Sequence, residues 1–302
     1  MFVMSYLSHM LHLKSPSRRS SRAAACAVVI LASVTALSSL GGLHAAPAMA
    51  VPSPSGQAHA GAGVNAAAVQ RPSKVRVTAA VLSLDGGNGK PVLVGEDAPY
   101  DTASIVKVDI LATLLLQAQD AGRNLTAAER ALAEPMIRKS DNAATNKLWR
   151  EIGGASGLRE ANKRMGLTST KGGPGTKWGL TQTTASDQIR LLLSVFEGPA
   201  TLKTDSPLNK DSRAYIRTLM THVASDQAWG VSAVSGSDYA LKNGWLQRTT
   251  SGLWDVNSVG RITVDGHPYL VAVLSDGSVS MSDGVSSVEQ AARQALAATT
   301  KT

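Results

Sequence analysis

The sequence predicts an α+β protein (an α/β sandwich): a five-stranded, mostly antiparallel sheet flanked by helices, with an all-helical lobe inserted into it. Three observations predict it. Val75, Val77, Ala79 and Val81 alternate with other residues, the period of a strand. Capped segments of helical period fill the middle of the chain. Strand-like runs return in the last third, followed by one more helix.

Val75 to Leu84 reads as the first strand. Asp85-Gly86-Gly87-Asn88-Gly89 is a hairpin turn, and Pro91 to Gly95 is the return strand. A helix follows from about Ser104 to Gln119, with Gly122 as its stop. It is apolar on nearly every side, which places it in the centre of the domain. Thr126-Ala127-Ala128-Glu129 is a capping box that opens the next helix, and Pro135 predicts a kink or break in it. Helices are expected over Asn142–Ile152, Gly157–Met165, Thr184–Phe196 and Asp211–Thr221. Gly166 to Gln182, with five glycines and a proline, is a loop. The helical lobe thus covers about residues 103–224. Tyr239–Trp245, Leu253–Val264 and Tyr269–Leu274 are strands, with Asp265-Gly266 as a turn, and Ser286–Ala298 is the last helix.

The first fifty residues have the pattern of an export signal. Lys14 to Arg22 is basic, Ala23 to Leu40 is apolar and small, and Ala48-Met49-Ala50 is a small-x-small cleavage site that starts the mature chain near Val51. Arg18-Arg19 is a weak twin-arginine hint. The rival reading is an uncleaved anchor, because the apolar run approaches spanning length. Residues 51–74, rich in Ala, Gly, Ser and Pro, form a disordered linker, and 75–302 form the folded domain. The expected location is secreted or extracytoplasmic, with no membrane contact after cleavage.

The formal charge of the 302 residues is +8. Lys14, Arg18, Arg19 and Arg22 account for four of those charges, leaving +4 on the remainder. That is too mild to argue for nucleic acid, and no basic-aromatic run supports it. The one cysteine, Cys26, lies within the signal, so disulfides, thiol catalysis and cysteine-ligated metal are excluded from the mature chain. Three histidines remain after the signal, His59 in the linker and His222 and His267, few candidates for a Ser-His-Asp triad.

Thr102-Ala103-Ser104-Ile105-Val106-Lys107 carries the chemistry instead. Ser104 and Lys107 are three apart, so on a helix they share a face. A serine hydroxyl needs a base to take its proton, and a lysine whose pKa is lowered by burial or a cationic neighbour is one. The first helical turn also has unpaired N–H groups that favour developing negative charge. Two further segments strengthen the signal: Ser140-Asp141-Asn142 within the helical block and Lys242-Asn243-Gly244 on the first strand after it. S-x-x-K, S-D-N and K-T-G in this order are a joint signature of class A β-lactamases and penicillin-binding proteins. Over roughly Val75 to Ala298 the chain resembles class A β-lactamases, with a β-lactamase/transpeptidase-like fold. Local matches at Ile152-Gly153-Gly154 with Leu158, and at Thr183-Thr184, extend the resemblance.

The resemblance implies a role for each residue. Ser104 would be the acylated nucleophile, Lys107 would take its proton, and Ser140 would pass a proton to the leaving nitrogen. Asn142 would bond the substrate's amide side chain. Lys242 would bind the substrate carboxylate and polarise Ser140, with Asn243 and Gly244 lining the same strand. The N–H groups of Ser104 and Trp245 would form the oxyanion hole. Asp141 would brace its loop. No metal or cofactor is implied.

Three departures stand out. Asn243 replaces the family's Thr or Ser. Only 36 positions separate Ser104 from Ser140, which predicts an open cleft. No Asp or Glu lies between Glu160 and Asp187, where class A enzymes carry the Ω-loop glutamate that activates the deacylating water. The implied function is a secreted serine hydrolase that opens β-lactam amides through an acyl-serine ester and deacylates slowly. The alternatives are a penicillin-sensitive D-Ala-D-Ala carboxypeptidase or transpeptidase, and a catalytically weak cell-wall-binding relative. A monomer acting on a β-lactam or D-Ala-D-Ala peptide is expected.

Overall fold

A computed structural model describes residues 75–85, 89–196 and 206–299. The expected signal, the linker and the Gly86-Gly87-Asn88 turn lie outside the described residues.

The chain enters through β1 (Arg76–Ser83) and β2 (Val92–Val94), followed by the short β3 (Tyr100–Asp101). A 3-10 turn, Ala103–Ile105, leads into α1 (Val106–Asp120). Then come α2 (Ala127–Arg138), α3 (Asn142–Glu151), α4 (Gly154–Met165), β4 (Gln182–Thr183), α5 (Ala185–Val195) and α6 (Lys210–Thr221). The chain closes with β5 (Tyr239–Gln247), β6 (Trp254–Val264), β7 (His267–Ser278) and α7 (Met281–Thr299). The main sheet has the order β2-β1-β7-β6-β5, and every pairing is antiparallel. β1 pairs with β7 over its whole length, so the two ends of the domain meet in mid-sheet and the helices loop out between β2 and β5. β3 and β4 form a separate two-stranded ladder.

The period-2 rule sorts the sheet residues to two cores. Ala80, Leu82, Ala240, Val259, Leu270, Ala272 and Leu274 face α1 and the helical block. Ala79, Val81, Leu241, Val256, Ile262, Val271 and Val273 face α7, which presents Val288, Ala291, Ala292 and Ala295 at helical spacing. β7 is covered on both faces, so its middle is a continuous apolar run.

α1 is buried along most of its length, as its all-round apolarity predicts, and its polar residues Lys107, Asp109 and Thr113 are buried with it. Burial pushes the Asp109 carboxyl up to about 7. The capping box at Thr126 and Glu129 is present. Pro135 does not break α2, which continues to Arg138. Proline lacks one donor, and a helix held at both ends by packing tolerates that loss. α4 starts three residues before the expected Gly157, because Gly153 and Gly154 both take left-handed conformations and turn the chain directly into it. α7 starts five residues before the expected Ser286. Asp265 and Gly266 both have positive φ, as a two-residue hairpin requires. Among the described residues no helix is long and apolar enough to cross a membrane.

Candidate active site

The nucleophile turn is pinned from three sides. Asn257 of β6 donates from Nδ2 to the carbonyls of Asp101 (2.9 Å) and Thr102 (3.1 Å), while its Oδ1 accepts from the Ser275 N–H (3.0 Å). The Thr102 N–H donates to the Thr181 carbonyl at 2.7 Å. Gly244 of β5 packs directly on the turn. A Cβ there would lie 2.6 Å from the Ser104 nitrogen and 2.8 Å from both the Ile105 nitrogen and the Thr102 oxygen. All three are backbone atoms and cannot swing away. Gly244→Ala is therefore expected to cost at least about 1–3 kcal/mol in urea unfolding, the usual range for overpacking. An unchanged unfolding midpoint would contradict this packing. Ala103, just before the serine, has φ +46°, a strained value for a residue with a Cβ.

Ser104, Lys107, Ser140, Asn142 and Lys242 converge. The Lys107 Nζ lies 2.8 Å from Ser104 Oγ, 2.7 Å from the Ser140 carbonyl, 3.0 Å from Ser140 Oγ and 2.8 Å from Asn142 Oδ1. The Lys242 Nζ lies 3.0 Å from the same Ser140 Oγ and donates to the Asn243 carbonyl at 2.7 Å. Both lysines are fully buried. Burial pulls the Lys107 amine down to about 7, against the opposing pull of Asp141. Burial, and then the charge of Lys107, pulls Lys242 well below the lysine range.

Hydrogen-bond counting shows what a neutral Lys107 does. A neutral amine has two N–H donors and one lone pair. The Ser140 carbonyl and Asn142 Oδ1 are pure acceptors here and take the two donors. The lone pair is left for a hydroxyl proton, and Ser104 Oγ is the nearer hydroxyl. Ser140 is held between the two amines in a left-handed conformation, φ +58°. Asp141 caps α3, accepting from the Ala144 N–H at 2.6 Å, which is the bracing expected of it.

Asn243 requires a correction. Strand alternation turns Lys242 and Gly244 toward the nucleophile and Asn243 to the other face. Its Nδ2 donates to the carbonyls of Gln227 (2.8 Å) and Trp229 (2.9 Å), so both amide hydrogens are engaged and fully buried. It anchors the 227–230 segment and is not a substrate contact. The Trp245 indole packs near Trp229, with centroids 5.9 Å apart.

Above these groups lies an open cleft of about 920 Å³, lined by Ser104, Asn142, Trp178 and Trp245 among others. Trp178 comes from the glycine-rich loop. Its ring centroid is 4.8 Å from the Lys107 Nζ, and its Nε1 donates to Asn146 Oδ1 at 2.8 Å. Trp149 ties the same loop down through the Gly175 carbonyl at 2.8 Å. Sequence reasoning missed Asn257, Asn146 and Trp178. An asparagine inside the apolar β6 run was a readable sign, but nothing in the sequence aims Trp178 at Lys107. Among the described residues no cluster of three or more His, Asp or Glu is arranged to hold a metal ion.

A model of the beta-lactamase enzyme family matches residues 116–299, more than half of the chain. The chain belongs to the beta-lactamase enzyme family. The match begins after Ser104 and Lys107, so for those two residues the geometry is the independent observation. Among solved structures, PBP-A is similar with a TM-score of 0.62 and 22% identity, over 78% of this chain and 93% of that one. A class A beta-lactamase from Bacteroides cellulosilyticus is similar with a TM-score of 0.61 and 16% identity, over 74% and 91%. At such identities the likeness shows the β-lactamase-like fold. Proteins named "Putative lipoprotein LppW" in Mycobacterium tuberculosis and Mycobacterium bovis are 29% identical over 128 residues, 42% of this chain. The matched part spans 41% of the length of those relatives.

Proposed function

We propose that this member of the beta-lactamase family is an active-site-serine hydrolase that opens β-lactam amides through an acyl-Ser104 ester and releases that ester slowly. The observation that carries the reading is the 2.8 Å contact of Ser104 Oγ with a buried lysine amine that also meets two pure acceptors, the Ser140 carbonyl and Asn142 Oδ1. Ser104 Oγ attacks the amide carbonyl and its proton passes to the Lys107 Nζ. The C–N bond breaks, and the leaving nitrogen takes a proton through the Ser140 hydroxyl, which bridges both lysines. Lys242 offers its amine N–H groups to a substrate carboxylate. Asn142 meets the amide of the acyl side chain, and the Ser104 and Trp245 N–H groups stabilise the oxyanion. Water then cleaves the ester, returning serine and a carboxylic acid.

One observation favours a second reading, a penicillin-sensitive D-Ala-D-Ala peptidase. The loop group over Lys107 is the Trp178 indole, with no carboxylate between Glu160 and Asp187 to activate water. The proposed protein is exported, with a signal over 1–50, a linker over 51–74 and a monomeric hydrolase domain over 75–302. The word lipoprotein in the relatives' name supports an extracytoplasmic place.

Intact-mass spectrometry after treatment with benzylpenicillin tests the acyl-serine step. One adduct of the full penicillin mass is expected, absent in Ser104→Ala. No adduct on the unaltered protein would leave a non-catalytic wall-binding relative, and an adduct that persists in Ser104→Ala would refute the nucleophile.

A further inference from the structure

We propose that Trp178 is a positioning residue for acylation: its indole, tethered by Asn146, closes the cleft side of Lys107 and keeps water off the amine that takes the Ser104 proton. This rests on the acyl-serine reading above and adds the residue that prepares its base.

Ser104 Oγ and Asn142 Oδ1 each lie 2.8 Å from the Lys107 Nζ, and the Trp178 ring centroid lies 4.8 Å from it. Ser104, Asn142 and Trp178 all line the open cleft, whereas Lys107 does not line it and is fully buried. These three side chains therefore stand between the amine and the water of the cleft. Ser104 and Asn142 are small and polar. The indole is the one broad apolar surface among the three, so its removal is what would let water reach the amine.

The ring is held from two sides. Trp178 opens a 3-10 turn, Trp178–Leu180, and the Thr181 N–H donates to the Trp178 carbonyl at 3.0 Å. Lys171 and Gln182 exchange backbone hydrogen bonds of 2.8 and 2.9 Å across the loop, and the Gly173 N–H donates to Thr181 Oγ1 at 3.0 Å. The loop is closed tightly enough that a Cβ on Gly173 would lie 2.1 Å from the Lys177 carbonyl oxygen. From the other side, α3 presents Asn142, Asn146 and Trp149 at helical spacing. Asn142 accepts from the amine, Asn146 accepts from the indole N–H at 2.8 Å, and Trp149 donates to the Gly175 carbonyl at 2.8 Å. One helix face thus holds the base and its cover in register.

The ring acts on Lys107 in two opposite senses. Its π face attracts an ammonium. Its bulk excludes water, which disfavours the ammonium. The charged groups facing the amine are Asp141, at the cap of α3, which favours the ammonium, and Lys242 of β5, which shares Ser140 Oγ with it. Burial outweighs Asp141 and brings the amine down to about 7. Contact with one ring face replaces only part of a lost hydration shell, so drying is the larger effect of the indole.

The test follows second-order acylation by benzylpenicillin between about pH 5.5 and 9.5, because the acid limb of that profile reports the base of the free enzyme. Trp178→Ala should move the limb up by about one unit, towards the ordinary lysine range. Acylation would then be roughly tenfold slower at about pH 6 and close to the native rate at about pH 9. Trp178→Phe keeps an apolar ring and should leave the limb near 7. Asn146→Ala frees the indole and should give a smaller shift in the same direction. A loss equal at every pH would mean that the ring only shapes the cleft, and a limb that moves down would mean that it acts through its π face. Either result overturns the proposal. Asn146 is exposed, so its variant decides the matter if Trp178→Ala does not fold, and an unmoved limb there would overturn the tether. NMR titration of the lysine Cε–Hε groups, with the Lys107 signal assigned by its loss in Lys107→Met, reads the same shift without turnover. Failure of benzylpenicillin to acylate the unaltered protein would overturn the acyl-serine reading, and the Lys107 titration would still report whether the indole keeps the amine dry.

Discussion

Lys107→Arg is expected to lower the rate of Ser104 acylation by about 10²- to 10⁴-fold, the usual worth of a positioned general base. Arginine keeps the charge and most of the stem, but its guanidinium stays protonated and has no lone pair to offer. In the native site the amine is pulled down to about 7 by burial. The neutral form is the base, so the sign is fixed. Acylation should rise with pH through about 7 and level off above it, falling tenfold per unit on the acid side. Stopped-flow acylation by a chromogenic cephalosporin between pH 5.5 and 8.5 measures this limb. A flat profile, or a Lys107→Arg variant that acylates at the native rate, would send the serine proton elsewhere. Among the described residues Ser140 is the only other hydroxyl on that amine, at 3.0 Å.

Deacylation should be the slow half of the cycle. Water must approach the ester from another side than the departing nitrogen, so it needs its own base. No carboxylate is available between Glu160 and Asp187. The loop that would supply one places the Trp178 indole 4.8 Å from the Lys107 amine and fastens it to Asn146. An indole N–H donates only and cannot accept a proton from water. The same ring covers the amine, so Lys107 is poorly placed to act a second time. A chromogenic cephalosporin should give a burst equal to the enzyme concentration. Steady turnover should then be slower by about the 10²- to 10⁴-fold that base assistance supplies. Fast steady turnover with no burst would show that another group activates the water, and the plain β-lactamase reading would then stand.

The two halves of this mechanism were legible to different degrees. Ser104, Lys107, Ser140, Asn142 and Lys242 were all named from three short segments whose order and spacing carry the signal. They converge because α1, the cap of α3 and β5 each hold one segment in a fixed direction. Asn243 was misplaced for a reason local to the strand. Its neighbours on both sides face the nucleophile, and period 2 sends it to the other face, where the carbonyls of Gln227 and Trp229 take its hydrogens. A motif read as a string does not carry that alternation. Pro135 does not break α2, because the breaking tendency of a proline is a local preference and the packing of α2 is not.

By itself the sequence determined what depends on near neighbours along the chain. The strand and helix periods, the caps at Thr126 and Thr184, and the serine-lysine pair on one helical face all lie within a few residues of each other. Tertiary structure alone decided what depends on residues far apart. Asn257 reaches across from β6 to hold the nucleophile turn, and Gly244 lets β5 close on the Ser104 backbone. Both lysines are sealed from water together, which lowers their pKa values. Trp178 is carried over Lys107 by a loop some seventy residues further along the chain. Each of these is a contact at long sequence separation, and its strength comes from the water that the fold excludes around it.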